Sequence, residues 1–335
     1  MHFSYSLIIC CYNSSLVIEP TIEAICSLEC DTEDDIELIV VDNNCTDTTI
    51  EQLSSVWSSE FIDLKVVPES VPGLMHARRK GVACATREVV VFIDDDNILD
   101  KKWLQILDSV YKENIDVACV GGRVSPVVND VYPWWFKNFE GVYACGKQAN
   151  ESMVVSQTRM TLFGAGLSFR NEVIQNIFNQ SNELYLTGRT GNKLLRGDDS
   201  ELCMRCLLLG YNVYYSDEMH LTHNILPERV TWDYVQKARF GGGMADIILS
   251  LYRSINMGDK PKSYFKVVLS VMKRWLLFII NPENIVRGNK EGMLASFEYH
   301  YLKGLTSGLF LFPPKRYNDI RNNLLQIKHE CNKYK

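Results

Sequence analysis

Apolar-rich runs alternate with polar, helix-patterned stretches through the first hundred residues. Residues 6–11, 36–41, 62–67 and 88–93 are short runs bounded by turn residues, and the most apolar of them read as strands buried on both faces of a sheet. A loop at Tyr12-Asn13-Ser14-Ser15 is followed by a helical pattern to about Leu28. Thr46-Asp47-Thr48-Thr49 offers capping groups for a helix through Val56. Residues 73–84 and 99–113 also read as helices, and 117–120 as another strand. The alternation predicts an α/β fold, a mostly parallel central sheet flanked by helices. Four strands would then deliver polar loops at their carboxyl ends, where open sheets of this kind bind ligands.

The texture changes twice further on. Residues 121–195 are less regular and hold Trp134-Trp135, Gly164-Ala165-Gly166 and the polar stretch Thr187-Gly188-Arg189-Thr190-Gly191. Helix returns at 198–209 and a late strand at 212–215. Beyond Arg229 the pattern is helical over 230–240 and 247–255, with Gly241-Gly242-Gly243 between them. Two more apolar helices follow at 264–280 and 293–312, the second ending at Pro313-Pro314. The expected organisation is a domain over 1–228, with halves 1–120 and 121–228, and a helical C-terminal extension over 229–335.

Composition narrows the class. Hydrophobic residues make up 46% of the 335 and charged residues 23%, enough to fill a sizeable core. The net charge of −6 argues against a nucleic-acid partner. An anionic substrate would therefore need a bridging cation or a local basic cluster. The 11 cysteines are odd in number, and Cys10, Cys11, Cys26, Cys84 and Cys119 lie in apolar surroundings, as small buried residues in a reducing compartment do. Cys203 and Cys206 have metal-pair spacing but stand mid-helix without a second pair. No signal peptide is evident, and no run of 18 uncharged apolar residues predicts a membrane-spanning helix, so a cytoplasmic location is expected.

Asp94, Asp95 and Asp96 follow directly on the apolar run Val89-Val90-Val91-Phe92-Ile93. Three adjacent carboxylates repel one another. Hard oxygen ligands at a strand end suit Mg²⁺ or Mn²⁺ holding a diphosphate. The alternative is a solvated turn, with Asp96 or Asn97 capping a helix that starts near Asp100.

Further acids fall where other loops would meet: Asp42 after the second strand, and Asp198-Asp199 after Gly197. With Ile8-Ile9-Cys10-Cys11-Tyr12-Asn13, Val40-Val41-Asp42-Asn43, the Gly73, Ala77, Arg78, Gly81 series, Phe92-Ile93-Asp94-Asp95-Asp96, Gly164-Ala165-Gly166 to Arg170, Gly197-Asp198-Asp199-Ser200-Glu201 and His223, the chain resembles the inverting glycosyltransferases of family 2. The likeness spans about residues 4–225 in the family's order. It implies a GT-A fold and a nucleotide-diphospho-sugar donor, UDP-linked more often than guanosine- or deoxythymidine-linked.

The resemblance also implies roles. Cys11, Tyr12, Asn13 and Asp42 would border the nucleoside, with Asn13 and Asp42 equally suited to turns. Asp94 and Asp95 would serve the ribose, the sugar or the metal's water shell, and Arg78 the diphosphate. Asp96, with His223, would hold the metal, which offsets charge on the leaving nucleoside diphosphate. Asp199 would be the general base that inverting transfer needs, and Asp198 would position the acceptor. Many relatives carry Glu-Asp where this chain has Asp198-Asp199. Asp198 with Glu201 three residues on also fits a capping box. Trp134 and Trp135 would stack on an acceptor sugar or pack in the core.

The acceptor so implied is a glycan or a lipid-linked glycan, in polysaccharide or glycolipid synthesis. Lys262, Lys266, Lys273, Arg274, Lys303, Lys315 and Arg316 accompany the apolar C-terminal helices. That pattern suits helices lying on an anionic membrane surface, peripheral at the inner face of the cell membrane. Packing on the catalytic domain or in a homo-oligomer would leave a similar sequence. A nucleotidyltransferase usually offers a glycine-rich, lysine-bearing phosphate loop near its N-terminus, and residues 10–15 contain neither residue. A non-catalytic nucleotide-sugar binder is disfavoured by acids at every expected position.

Overall fold

The computed structural model describes residues 2–29, 35–128, 131–179, 184–190, 193–281 and 289–333. The chain runs β1 (Tyr5–Cys11), α1 (Ile18–Cys26), β2 (Ile36–Asp42), α2 (Thr49–Val56), β3 (Asp63–Pro68), α3 (Leu74–Cys84), β4 (Val89–Ile93) and β5 (Asn97–Leu99). It continues through α4 (Trp103–Glu113), β6 (Val117–Val127), α5 (Phe136–Phe139), β7 (Met153–Val154), β8 (Leu167–Arg170) and α6 (Asn171–Asn179). A short hairpin, β9 (Arg189–Thr190) with β10 (Lys193–Leu194), precedes α7 (Asp198–Leu208) and β11 (Asn212–Asn224). Four helices close the chain: α8 (Trp232–Asn256), α9 (Tyr264–Ile280), α10 (Asn289–Leu311) and α11 (Pro314–Lys333). Gly191 of the polar stretch noted above lies outside the described residues.

The main sheet has the order β3-β2-β1-β4-β8-β6-β11-β5, with β7 on β11. β1 to β4 pair in parallel, β8 runs antiparallel between β4 and β6, and β11 runs parallel to β6. Strand alternation separates two cores. Ile8, Val90 and Phe92 face α3, α6, α7 and the C-terminal helices, whereas Leu7, Ile9, Val91 and Ile93 face α1 and α4. Because the leading strands are parallel, their carboxyl ends open on one edge.

Three expectations about elements need correction. Leu99, read as the start of a helix, lies instead with Asn97 and Ile98 in β5, which pairs antiparallel with Leu221–His223 of β11. Asp100 then turns the chain: its backbone N donates to the His220 carbonyl at 3.0 Å and its Oδ1 accepts from Lys102 N at 2.9 Å, so α4 starts only at Trp103. β11 runs on to Asn224 rather than stopping at Tyr215, held by β6 along its length.

Gly241-Gly242-Gly243 does not break the helix, and α8 passes through all three. Gly243 serves packing: a Cβ there would strike the Tyr301 carbonyl and come within 3.0 Å of the Cα of Gly304 on α10. Two backbones meet there with no side chain between them. The cost of a mid-helix glycine, about 1 kcal/mol relative to alanine, is offset there by that contact, whereas Gly242 faces open space.

The C-terminal helices share a core with the sheet. Ile247, Ile248, Leu251, Tyr252, Leu302 and Leu305 belong to the same buried cluster as Phe92, Phe169 and Leu202. Lys328 Nζ also donates to the Leu207 carbonyl at 3.2 Å.

Candidate active site

A cleft of about 570 Å³ opens at the carboxyl edge of the sheet. Its walls come from the ends of β1, β2 and β4, the start of α3, the Gly164-Ala165 turn, the start of α7 and the end of β11. Of the predicted residues, Cys11, Tyr12, Arg78, Asp94, Asp95, Asp96, Asp198, Asp199 and His223 all line it. Asp96 and Asp199, 103 positions apart, thus share one cavity.

The aspartate triplet is compensated by protein cations, and Asp96 does not cap a helix. Asp96 Oδ2 accepts from Arg229 Nη1 at 2.8 Å and lies 3.2 Å from His223 Nε2, while its Oδ1 accepts from Asn97 Nδ2 at 3.1 Å. Burial would raise its carboxyl, but the charges of His223 and Arg229 outweigh that and hold it low. His223 Nδ1 sits 2.9 Å from the Tyr143 carbonyl, which can only accept, so that nitrogen carries a proton. Burial works against a charged His223, yet Asp96 beside it raises the imidazole to about 10. Asp95 accepts from the Ser14 hydroxyl and is pushed up to about 7 by burial and by the neighbouring Asp96 charge.

Arg78 joins the two groups of acids. Its side chain is buried, its Nη1 donates to Asp198 Oδ2 at 2.8 Å, and its Nη2 lies 3.8 Å from Asp94 Oδ1. The guanidinium also stands 5.1 Å from the Phe92 ring centroid, so strand β4 sets its height. Burial lifts the Asp198 carboxyl to about 6 in spite of Arg78.

Asp199 has no such cation. Its Oδ1 accepts from Ser200 N at 2.7 Å, within the first turn of α7, where the helix end favours negative charge. Among the described residues no Lys, Arg or His lies within ion-pair distance of Asp199. Space beside it is kept by Gly164, whose added Cβ would meet the Asp199 Cβ at 3.3 Å.

The capping box does not form. Gly197, at φ +98°, takes the N-cap without a side-chain bond, a backbone conformation that favours glycine. Glu201 is wholly buried and accepts from Tyr185 N at 3.0 Å, Leu186 N at 2.7 Å and the Tyr252 hydroxyl at 2.6 Å. Burying a carboxylate costs several kcal/mol, and this many donors offset it. Its work is to hold the segment that leads into Asp198-Asp199.

Four predicted residues stand elsewhere. Asn13, at φ +54°, is a turn residue whose Oδ1 accepts from Thr46 N at 2.8 Å. Asp42 likewise closes a turn, its Oδ1 accepting from Cys45 N at 2.8 Å. Both shape the loops whose Asn43, Asn44 and Thr46 line the cleft. Trp135 is buried in an aromatic cluster, edge-on to Trp232 at 5.6 Å, and Trp134 is exposed outside the cleft lining.

Sequence reasoning named Arg229 only as an unranked loop arginine and left Asn43, Tyr143 and Tyr234 without a role. Asn43 fastens the β3–α3 loop, donating to the Glu69 and Val71 carbonyls at 2.9 and 2.8 Å and accepting from Gly73 N at 2.8 Å. Arg229 stood six residues after His223 as the one available signal, but its partner Asp96 is 133 positions away.

Comparison with known proteins agrees with this geometry. The sequence profile of Glycosyl transferase family 2 matches residues 6–178. A glucosyl-dolichyl phosphate glucuronosyltransferase of Haloferax volcanii is 26% identical over 273 residues, 79% of this chain and 83% of that protein. Among solved structures, S. aureus TarS 1–349 in complex with UDP-GlcNAc superposes with a TM-score of 0.52 at 12% identity, covering 99% of this chain and 92% of that one. GalNAc-T7 with UDP, GalNAc and Mn²⁺ gives 0.51 at 12% identity over 73% of this chain and 51% of that one. With a profile that takes in more than half its length and a sheet of the same architecture, the chain belongs to glycosyltransferase family 2 and is an enzyme of GT-A fold.

Proposed function

We propose that this enzyme moves a sugar, with inversion, from a nucleoside diphosphate donor to a hydroxyl of a glycan or lipid-linked acceptor. The observation that carries the reading is the asymmetry of the cleft. Buried acids held by cations stand on one wall, and Asp199, without a cation, stands on the other. UDP is the favoured nucleotide, since the TarS and GalNAc-T7 complexes both contain it. The Haloferax relative is named for a dolichyl phosphate-linked sugar, which favours a lipid-linked acceptor and a place in cell-surface polysaccharide or glycolipid synthesis.

The donor set fits a hard divalent cation. Asp96 and His223 converge to 3.2 Å; His223, its Nδ1–H held by the Tyr143 carbonyl, would ligate through Nε2 once the cation displaces the proton it shares with Asp96. Among the described residues no third His, Cys, Asp or Glu completes a cluster, which suits Mn²⁺ or Mg²⁺ sharing its shell with phosphate oxygens and water. When bound, such a cation neutralises charge gathering on the departing diphosphate.

The chain's own residues do the rest. Cys11, Tyr12 and the Asn43–Thr46 loop border the nucleoside. Arg78 and Arg229 present cations toward the diphosphate. Asp198, fixed by Arg78, positions the acceptor. Asp199 takes the acceptor hydroxyl's proton as that oxygen bonds to the anomeric carbon, and the bond from that carbon to the phosphate oxygen breaks toward the leaving group. Asp199 needs no covalent partner.

A lipid-linked acceptor would be met at the inner face of the cell membrane, with the C-terminal helices giving peripheral contact. Among the described residues no helix is long and apolar enough to cross a membrane. The reading is tested by thermal shift with nucleoside diphosphates and their sugars, with and without Mn²⁺. A donor at a hundred times its dissociation constant adds about 2.7 kcal/mol to stability, and only with the metal. Equal, metal-independent shifts for every nucleotide would sink it.

A further inference from the structure

One cation in the cleft has no place in the transfer chemistry given above. Arg78, Arg196 and Arg229 all line the cavity. Arg78 is committed to Asp198 and Asp94, and Arg229 to Asp96. Arg196 is partly buried, and among the described residues no carboxylate lies within ion-pair distance of it. In the chain it directly precedes Asp198 and Asp199, with only Gly197 between.

The backbone that carries Arg196 is held in place. Gly197 follows it at φ +98°, and a Cβ there would come within 3.0–3.3 Å of Leu186, Ala245 and Leu249. The chain is thus pinned against α8 where it turns into α7. Gly188, just before the β9–β10 hairpin, backs the same acids, since its added Cβ would meet the Asp198 carboxyl carbon at 3.0 Å. Residues 186–196 carry Arg189, Lys193 and Arg196 and no acidic side chain, in a chain of net charge −6. The head of α7 is therefore reached through a basic segment, although five aspartates line the cleft. A solvated arginine on an open surface needs neither a pinned backbone nor a place in a cavity wall.

We infer that Arg196 binds a phosphate on the acceptor, adjoining the sugar whose hydroxyl meets Asp199. A guanidinium offers a planar fork of N–H donors that matches phosphate oxygens two at a time. The donor's own phosphates are answered elsewhere, by the cation at Asp96 and by Arg78 and Arg229. A second anion entering a cleft lined by five aspartates is repelled unless an uncommitted cation receives it, and Arg196 stands uncommitted beside the base. The inference rests on the reading of a lipid-linked acceptor above and goes further. It makes the acceptor's phosphate, and not its sugar alone, the group that is recognised.

The test follows the phosphorus NMR line width of inorganic phosphate with the full chain, the donor site being filled by saturating UDP and Mg²⁺. The line is expected to broaden, showing that phosphate binds while UDP is in place. Arg196→Gln should weaken that binding about tenfold or more, the worth of hydrogen bonds to a charged group, and Arg196→Lys should keep part of it. Acetate at the same ionic strength should not displace the phosphate. UDP affinity by isothermal titration should be equal in all three chains, which also shows that the variants fold. No broadening in the parent chain, or equal broadening with Arg196→Gln, would overturn the inference. So would release of phosphate by UDP or a fall in UDP affinity with Arg196→Gln, either of which assigns the arginine to the donor. Displacement by acetate would make the recognised group a carboxylate and overturn it too. A parent chain that binds no UDP fails the transfer reading alone, because Arg196→Gln against the parent reads the phosphate site without nucleotide as well.

Discussion

At the end of β4 three carboxylates crowd a strand terminus, and at the start of α7 two more open a helix, yet the protein treats the two groups differently. Asp96 is buried between His223 and Arg229 and stays ionised because both are cations. Asp199, across the same cleft, accepts from a backbone amide and, among the described residues, has no cation within ion-pair distance. A carboxylate clamped by cations is suited to hold positive charge and poor at accepting a proton. One with no cation within ion-pair distance among the described residues, and a glycine opposite, is left open to an incoming group. Arg78, touching Asp94 and Asp198, fixes the separation of the two.

The comparison breaks first at Asp199. Asp199→Asn is expected to slow transfer by about 10²–10⁴ while leaving nucleotide affinity intact, the magnitude of a lost general base. Equal turnover by the variant in a donor-consumption assay would put the base elsewhere. Asp96→Asn should instead act on binding. Isothermal titration of UDP with Mn²⁺ is expected to show affinity reduced about 10–100-fold, with little change when the metal is omitted.

The smallest effect belongs to Asp198. Its carboxyl, lifted by burial to about 6, is ionised and paired with Arg78 above that pH and loses the pair below it. Acceptor KM should therefore rise as pH falls below about 6, by at most about tenfold per pH unit for one proton. Asp198→Asn should remove that limb of the profile, and a limb that survives it would assign the titration to another group.

Much of the site was legible because parallel strands place their successors predictably. The runs ending at Cys11, Asp42 and Ile93 had to open on one edge, and acids there could be read as facing one space. Asp42 and Asn13 sit at the predicted edge, where the Oδ1 of each accepts from a turn amide, the turn role that both residue types also suit. Trp135 went the other way because indole serves an aromatic core as well as a sugar face. Arg229 could be named but not ranked, since which cation meets Asp96 depends on how β11 leaves the sheet and turns.

The glycine run in α8 misled for a related reason. Glycine breaks helices in isolation, whereas here a neighbouring helix needs its bareness. Register between α8 and α10 is a tertiary fact that periodicity does not carry.

The hydroxyl of Tyr252 on α8 has a consequence for handling the chain in pieces. It donates to Glu201 Oε1, an oxygen that also accepts from the Tyr185 amide, three and two residues from the acids at the head of α7. A fragment cut after residue 228 would keep every cleft acid and lose this fastener, leaving buried Glu201 with the Tyr185 and Leu186 amides and the more distant Arg205. Such a fragment should yield insoluble or catalytically silent protein, and a missing activity in it would say nothing about the chemistry of the intact enzyme.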